Sequence, residues 1–414
     1  MTAKQTILDV SDLGGKRVLV RVDFNVPLDK SGTITDKTRI IEALPTIQYL
    51  LEHKACVVLA SHLGRPKGEV VESMRMTPVV KALEELLPNV TIHAPDPQGQ
   101  SVVNERIALL SQQLNEGEIL VLENLRFDPG ETTNDSTFAK QLGLLADVYV
   151  NDAFGAAHRA HASTEGVTHH VDTCVAGLLM DREIQALGRI CSEPEHPFTA
   201  LIGGSKVSSK ITVLKNLLPK VDNLIIGGAM MFTFLKAQGY GVGNSLVEDE
   251  YLDTAREFLE EAKHSNTYIK IPRHIVIADA FSADATIKTM SIEEGDIPEG
   301  WMGLDIAVNS LDIFKQLIQN SRTVLWNGPV GVFELEPFAV GTRAIAEQIA
   351  SWTEGQHCQS VLGGGDTLAA IAAFGIDKTR YSHVSTGGGA SLEFLEGKIL
   401  PGLAALDDTV AATV

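Results

Sequence analysis

Five arginines and three histidines gather where short apolar runs of the first half give out. Arg21 opens RVDFNVP (21–27), and His62 and Arg65 stand in SHLGRP (61–66). Arg126 lies in ENLRF (123–127), His158, Arg159 and His161 close NDAFGAAHRAH (151–161), and Arg39 follows the first of these segments. Guanidinium forks match carboxylate and phosphate oxygens two at a time, so the grouping suits a small ligand that carries both. Taken singly, each arginine reads as a solvated surface group, and only the grouping points to a pocket. Asp23 and Asn25 alternate with Val22, Phe24 and Val26, and Asp23 either meets the ligand or pairs with an arginine. The His158–His161 pair has no third ligand at a metal-binding spacing.

The second half carries glycines instead, in GGSKVSSK (203–210), GGAMM (227–231), NGPVGVFE (327–334), GGGDT (363–367) and STGGGAS (385–391). A Gly-rich turn from a strand into a helix offers backbone N–H groups at a positive helix end, which suits phosphate, although glycines also simply make tight turns. GGGDT leaves Asp366 for Mg²⁺ and Thr367 for a phosphate oxygen, and STGGGAS repeats the arrangement before 392–395. The spacing of Lys206 and Lys210 predicts one face of a helix that starts after Gly203-Gly204. Cations are misplaced at that end unless an anion binds there. Solvated lysines are the alternative. Neither GxxxxGK[ST] nor GxGxxG is present, and Gly239–Gly243 reads as a loop.

The elements that must position these groups are short β-branched runs separated by helical patterns. Runs at 18–22, 55–60, 119–123 and 148–150 are expected strands of the first half. The second half has 198–202, 223–226, 275–278, 323–326, 359–362 and 381–385. Stretches such as 78–87, 178–190 and 251–263 show helical spacing. Continuous apolar strands alternating with helices predict α/β folding around parallel sheets, with binding groups past the carboxyl ends of the strands. Two prolines in 192–197 mark the expected boundary between halves.

A chain of 414 residues with 44% hydrophobic and 21% charged residues suits a globular protein of more than one domain. Its net charge of −19 argues against nucleic-acid partners, and any anion site must gather its cations locally. The longest uncharged apolar run, 224–235, is broken by Gly227 and Gly228 and is too short to span a membrane. No signal peptide is expected. Four dispersed cysteines, Cys56, Cys174, Cys191 and Cys358, predict reduced thiols in a cytoplasmic protein rather than a zinc site or disulfide framework.

From RVDFNVP to STGGGASLEFLEGK the chain resembles the phosphoglycerate kinase family, on the combination of SHLGRP, DAFGAAHRAHAS, WNGPVGVFE and GGGDT. The resemblance implies two Rossmann-like, three-layer α/β domains separated by a cleft and a hinge. It places a 3-phosphoglycerate-binding domain at 1–190, a nucleotide-binding domain at 191–402, and a tail, 403–414, packed back on the first. It implies reversible phosphoryl transfer between 1,3-bisphosphoglycerate and ADP, giving 3-phosphoglycerate and ATP, by a cytoplasmic monomer. Asp23, Phe24, Asn25, Arg39, His62, Leu63, Gly64, Arg65, Arg126 and Arg159 are carried over as binding the acid. Arg39 and Lys206 are carried over as stabilising the phosphoryl group in flight. Lys210, Gly303, Glu334, Gly364, Gly365, Asp366 and Thr367 would hold the nucleotide, with Asp366 on its Mg²⁺. Two departures stand out: Ser209 where many relatives have Asp, and the bulky Met231-Phe232 after the second glycine pair. A different carboxylate kinase, or a non-catalytic nucleotide sensor of the same fold, are the rival readings; the second would be expected to have lost Arg39, Lys206 or Asp366.

Overall fold

The computed structural model describes residues 3–95, 99 and 101–409. By packing, the chain forms two compact units: one runs to Gln185 and is rejoined from Ile399, and the other is Ala186–Lys398. The division falls within the helix Leu178–Ser192. Of the expected returning tail, residues 410–414 lie outside the described residues.

In the first unit the strands are β1 (Arg17–Arg21), β2 (Cys56–Ala60), β3 (Ile92–His93), β4 (Ile119–Val121), β5 (Val148–Asn151) and β6 (Cys174–Ala176). They pair in the order β3-β4-β2-β1-β5-β6, every pair parallel. Every residue of β2, β4 and β5 is buried, because helices cover both faces of such a sheet. Val18, Val20, Val57, Leu59, Val121 and Val150 share one core with Ile40, Ile47, Val79 and Leu83 of the helices Thr38–Glu52 and Thr77–Leu86. The order makes β4, β2, β1 and β5 neighbours, so the four arginine- and histidine-bearing segments emerge side by side at the carboxyl edge.

The second unit has a parallel sheet of β7 (Phe198–Ile202), β8 (Asn223–Ile226), β9 (Tyr268–Lys270), β13 (Thr323–Asn327), β14 (Gln359–Gly363) and β15 (His383–Val384), ordered β15-β14-β13-β7-β8-β9. A smaller antiparallel sheet holds β10 (His274–Ala278), β11 (Ile287–Ser291) and β12 (Met302–Ile306), with β10 central. The expected strand at 275–278 thus forms, but outside the parallel sheet. Its partner β11 is exposed over its first three residues, which a strand covered on both faces could not be. Strands β7, β8, β13 and β14 are neighbours, which places the glycine segments after them along one edge.

Candidate functional site

The first unit builds a basic face on its carboxyl edge. After β1 the chain is held against the β2 loop: Phe24 N–H donates to Ser61 Oγ at 2.8 Å, and Gly64 N–H donates to Asn25 Oδ1 at 2.9 Å. Asn124 clamps Leu63 from both sides, accepting its N–H at 3.2 Å and donating to its carbonyl at 2.7 Å. Phe24 and Leu63 are buried, so their side chains are scaffold and only their backbones reach the edge. Gly64 has φ +65°, and a Cβ there would lie 2.8 Å from Met74 Sδ.

Arg39, in the first turn of its helix, forms an ion pair with Asp23. Arg65 and Arg159 are exposed, and Arg126 is half-buried with Nη1 donating to the Gly64 carbonyl at 2.9 Å. Among the described residues no carboxylate pairs with Arg65, Arg126 or Arg159, and the buried Nε of Arg126 has no hydrogen-bond partner. Burial and the neighbouring Arg21 push Arg126 below the usual guanidinium range.

Beneath this face lies a buried centre that sequence reasoning assigned to the pocket itself. Arg21 is fully buried, and its guanidinium is spent on Ser163 Oγ (2.8 Å), the Val22 carbonyl and His62 Nδ1 (3.1 Å), with Glu131 at 3.9 Å. It is a structural cation, not a ligand-facing one. Arginine only donates, so His62 accepts through Nδ1 and carries its proton on Nε2. Burial holds the His62 pKa well below its usual value, and Arg21, Arg126 and Arg39 reinforce this against Asp23. Burial, with Arg21, Arg126 and Arg159, takes His161 down to about 4. Asp23 is pushed up by burial but ends below the usual carboxylate range beside His62, Arg39 and Arg21. Since His62 is uncharged at neutral pH, the two guanidiniums hold Asp23 ionised there. Glu131, buried and bound by Ser163 through N–H (3.0 Å) and hydroxyl (2.7 Å), was not foreseen.

In the second unit the expected helix under Lys206 and Lys210 does not form; the helix begins at Ile211, and both lysines lie in the loop before it. Gly204 at φ +113° turns the chain, and Ser208 is drawn to Glu248 through both N–H (3.0 Å) and hydroxyl (2.6 Å). Ser209 Oγ donates to the Lys206 carbonyl at 3.0 Å, closing a turn between the lysines. Lys206 is exposed and without an ion pair among the described residues. Lys210 is largely buried, with Nζ donating to Asn327 Oδ1. Burial lowers its pKa, while Asp366 and Glu396 pull the other way. With Ser209 in place of a carboxylate, Asn327, Asp366 and Glu396 supply the polar surroundings of Lys210.

The glycine segments divide between two tasks. A Cβ on Gly203 would lie 2.2 Å from the Pro329 carbonyl, and one on Gly228 2.4 Å from Gly204 N, so these glycines let three strand-end loops pack backbone to backbone. Gly365 faces open space at the start of the helix Gly365–Ala373, and Asp366 in its first turn is exposed. Thr367 is buried, and its hydroxyl accepts from Gly328 N–H at 2.7 Å, which makes it a latch between loops.

Beside these loops is a cavity of about 450 Å³ lined by Ala229, Met231, Gly303, Val330, Glu334 and Asp366 among others. Phe232 also lines it, with its ring against Gly303: a Cβ there would lie 2.0 Å from Phe232 Cζ. The bulky Met231-Phe232 pair is therefore part of the wall. The mostly apolar wall suits an aromatic base, and the Glu334 and Asp366 carboxylates suit hydroxyl groups or a cation rather than phosphate itself. Among the described residues no three His, Cys, Asp or Glu side chains cluster as a metal site. A nucleotide-borne Mg²⁺ needs only one or two protein carboxylates, so Asp366 is a sufficient donor set.

A family model described as phosphoglycerate kinase matches residues 7–398. The chain is 54% identical over 408 residues to the phosphoglycerate kinase of a Picosynechococcus species, covering 98% of this chain and 100% of that one. Its structure is similar to that of phosphoglycerate kinase from Coxiella burnetii, with TM-score 0.87 at 41% identity over 97% of this chain and 98% of that one. The enzyme from Pyrococcus horikoshii has the same coverage, with TM-score 0.80 at 30% identity.

Proposed function

The chain belongs to the phosphoglycerate kinase family, and from that premise we propose that its two units divide the substrates, the first taking the acid and the second the nucleotide. The reaction is reversible phosphoryl transfer between 1,3-bisphosphoglycerate and ADP, giving 3-phosphoglycerate and ATP. The observation that supports the division is the pairing of charge. In a protein of net charge −19, Arg65, Arg126 and Arg159 form no ion pair among the described residues. That leaves three guanidiniums without a carboxylate partner, Arg126 giving one N–H to the Gly64 carbonyl, for phosphate and carboxylate oxygens.

In the ATP-forming direction, a β-phosphate oxygen of ADP bonds to phosphorus as the acyl C–O–P linkage opens at its P–O bond. The electron pair leaves on the carboxylate. An acyl phosphate is reactive enough that no covalent enzyme intermediate is required, so catalysis reduces to alignment and charge. Arg65, Arg126 and Arg159 would anchor the acid, with Asn25 Nδ2 and the Nε2–H of neutral His62 donating hydrogen bonds beside them. Arg39, steered by Asp23, and the unpaired Lys206 are the cations we assign to the equatorial oxygens of the phosphoryl group. Lys210 would hold nucleotide phosphate, Gly364 and Gly365 would offer backbone at the helix start, and Gly303 and Glu334 would border the base. Mg²⁺ held at Asp366 would neutralise phosphate charge on the nucleotide.

The same reading extends to a cytoplasmic monomer. The four cysteines are unpaired and three are buried, as suits a reducing compartment. A coupled assay of ADP release from ATP tests the function: 3-phosphoglycerate should support turnover, while acetate and aspartate should not. Turnover with either of those in its place would transfer the chain to another carboxylate kinase.

A further inference from the structure

Asp305 takes no part in the reaction described above and belongs to no motif singled out in the sequence, yet it is among the most enclosed carboxylates of the second unit. It is 1% exposed, in β12 between Leu304 and Ile306. Oδ1 accepts the Ile306 N–H at 2.8 Å, and Oδ2 accepts the Gly341 N–H at 2.8 Å. Gly341 lies in the first turn of the helix Val340–Glu354, whose N-cap residue, Ala339, makes no side-chain cap. A carboxylate from a neighbouring strand therefore caps this helix.

The contact continues to the cavity. Thr342, next in the same turn, accepts the N–H groups of Val330 (3.2 Å) and Gly331 (3.1 Å) on its hydroxyl, and both of those residues line the cavity. On the other side, Gly303 and Leu304 of Asp305's own strand also line it, and Val332 N–H donates to the Leu304 carbonyl at 2.9 Å. The fit has no slack. A Cβ on Gly331 would lie 2.1 Å from Asp305 Oδ1, and one on Gly341 2.4 Å from it.

We propose that Asp305 is a positioning residue for the nucleotide: through Gly341 and Thr342 it fixes the distance between the β12 wall and the Val330–Gly331 wall, and so sets the affinity for ADP. The inference rests on reading this cavity as the nucleotide site. Losing an acceptor and gaining a donor, as in Asp305→Asn, sets an N–H against the Gly341 N–H and loosens the helix start. The reacting groups are elsewhere, so turnover at saturating nucleotide should change little.

Calorimetric titration of ADP and, separately, of 3-phosphoglycerate into the full chain tests this. Asp305→Asn should weaken ADP about tenfold, the effect of one lost hydrogen bond to a charged group. It should leave 3-phosphoglycerate within twofold and kcat at saturating ATP within about threefold. Thr342→Val, which keeps the volume and removes the hydroxyl, should do the same and serves if Asp305→Asn does not fold. The double variant should lose less than the product of the two effects, because both act on one chain of contacts. Equal weakening of ADP and 3-phosphoglycerate, or unchanged ADP affinity in both single variants, overturns the proposal. Ala229→Leu, which fills the cavity directly, separates the two readings. If it too leaves ADP binding unchanged, the cavity is not the nucleotide site. If it abolishes binding while Asp305→Asn and Thr342→Val do not alter it, only the positioning role falls.

Discussion

The Lys210 ammonium donates to Asn327 Oδ1 at 2.5 Å, while the other end of that amide, Nδ2, is buried with no hydrogen-bond partner among the described residues. A largely buried cation is thus fixed by a neutral side chain at the end of β13. Asn327→Ala should free Lys210 and weaken ADP about tenfold, in line with losing a hydrogen bond to a charged group. Binding of 3-phosphoglycerate should be unchanged. Titration of both ligands checks this, and equal losses would mark Asn327 as a general stabiliser.

Arg65 is exposed at the edge of the basic face and forms no ion pair among the described residues. Arg65→Ser should weaken 3-phosphoglycerate by about ten- to a hundredfold, as expected for one or two charge-assisted bonds. ADP affinity should stay within twofold. Parallel weakening of both ligands would show that the substrates are not divided as proposed.

Lys206→Ala should lower kcat by on the order of a hundredfold with little change in either KM, the pattern for a cation felt in the transition state. Lys210→Ala should instead raise the nucleotide KM as well, since Lys210 is held in place before any ligand arrives. Steady-state kinetics in both directions decide between them. Near-normal kcat for Lys206→Ala with a raised nucleotide KM would reverse the two roles.

Asp366→Ala should raise the Mg²⁺ concentration needed for half-maximal activity and leave melting nearly unchanged, because an exposed carboxylate in the first turn of a helix packs against little. Activity across a Mg²⁺ titration gives the answer. A lowered melting temperature at constant Mg²⁺ dependence would make Asp366 a helix cap.

Asp305 also carries a pH signature. Burial raises its pKa to about 7, against the Gly341 and Ile306 N–H groups. Between the unfolded carboxyl value and about 7 the folded protein holds the extra proton, so this contribution to stability is full in acid and is lost as pH rises through 7. Melting curves of wild type and Asp305→Asn from pH 5 to 8 should therefore move in the variant's favour as pH increases. A constant difference across that range would show that Asp305 does not titrate there.

The periodic features of the sequence carried most of the architecture. β7 and β8 occur at the expected residues, and β1, β2, β5, β13 and β14 within a residue or so at either end, since a strand buried on both faces must read as an unbroken apolar run. Of the missed strands, Ile92–His93, Cys174–Ala176 and Tyr268–Lys270 have three residues or fewer and Ile287–Ser291 is exposed at its start, while Met302–Ile306 is mostly buried but has its apolar run broken by Gly303 and Asp305. At the site, residue type showed where phosphate chemistry gathers but not which cation faces the ligand. Arg21 and Arg65 look alike in sequence, and only the buried Ser163 and Glu131, more than a hundred positions after Arg21, decide that Arg21 points inward. Asp305 and Asn327 were illegible for the same reason. Their partners, at 341 and 210, are brought to them by strand order rather than by spacing.

The return of the chain to the first unit has a consequence for biosynthesis. Asn151 Nδ2 donates to the Gly402 carbonyl at 3.0 Å, Gly402 N–H donates to the Ala157 carbonyl at 2.9 Å, and Gln5 N–H donates to the Asp407 carbonyl at 2.8 Å. Ala157 immediately precedes His158 and Arg159. During N-to-C synthesis the first 185 residues emerge long before these partners exist. The segment carrying Arg159 therefore acquires its final support only once residues 399–409 are available. A nascent chain tethered before residue 399 holds every arginine of the basic face and lacks the brace for one of them. Acid binding should mature only when the segment from Ile399 has emerged, later in synthesis than the Ala186–Lys398 unit, which is continuous in sequence.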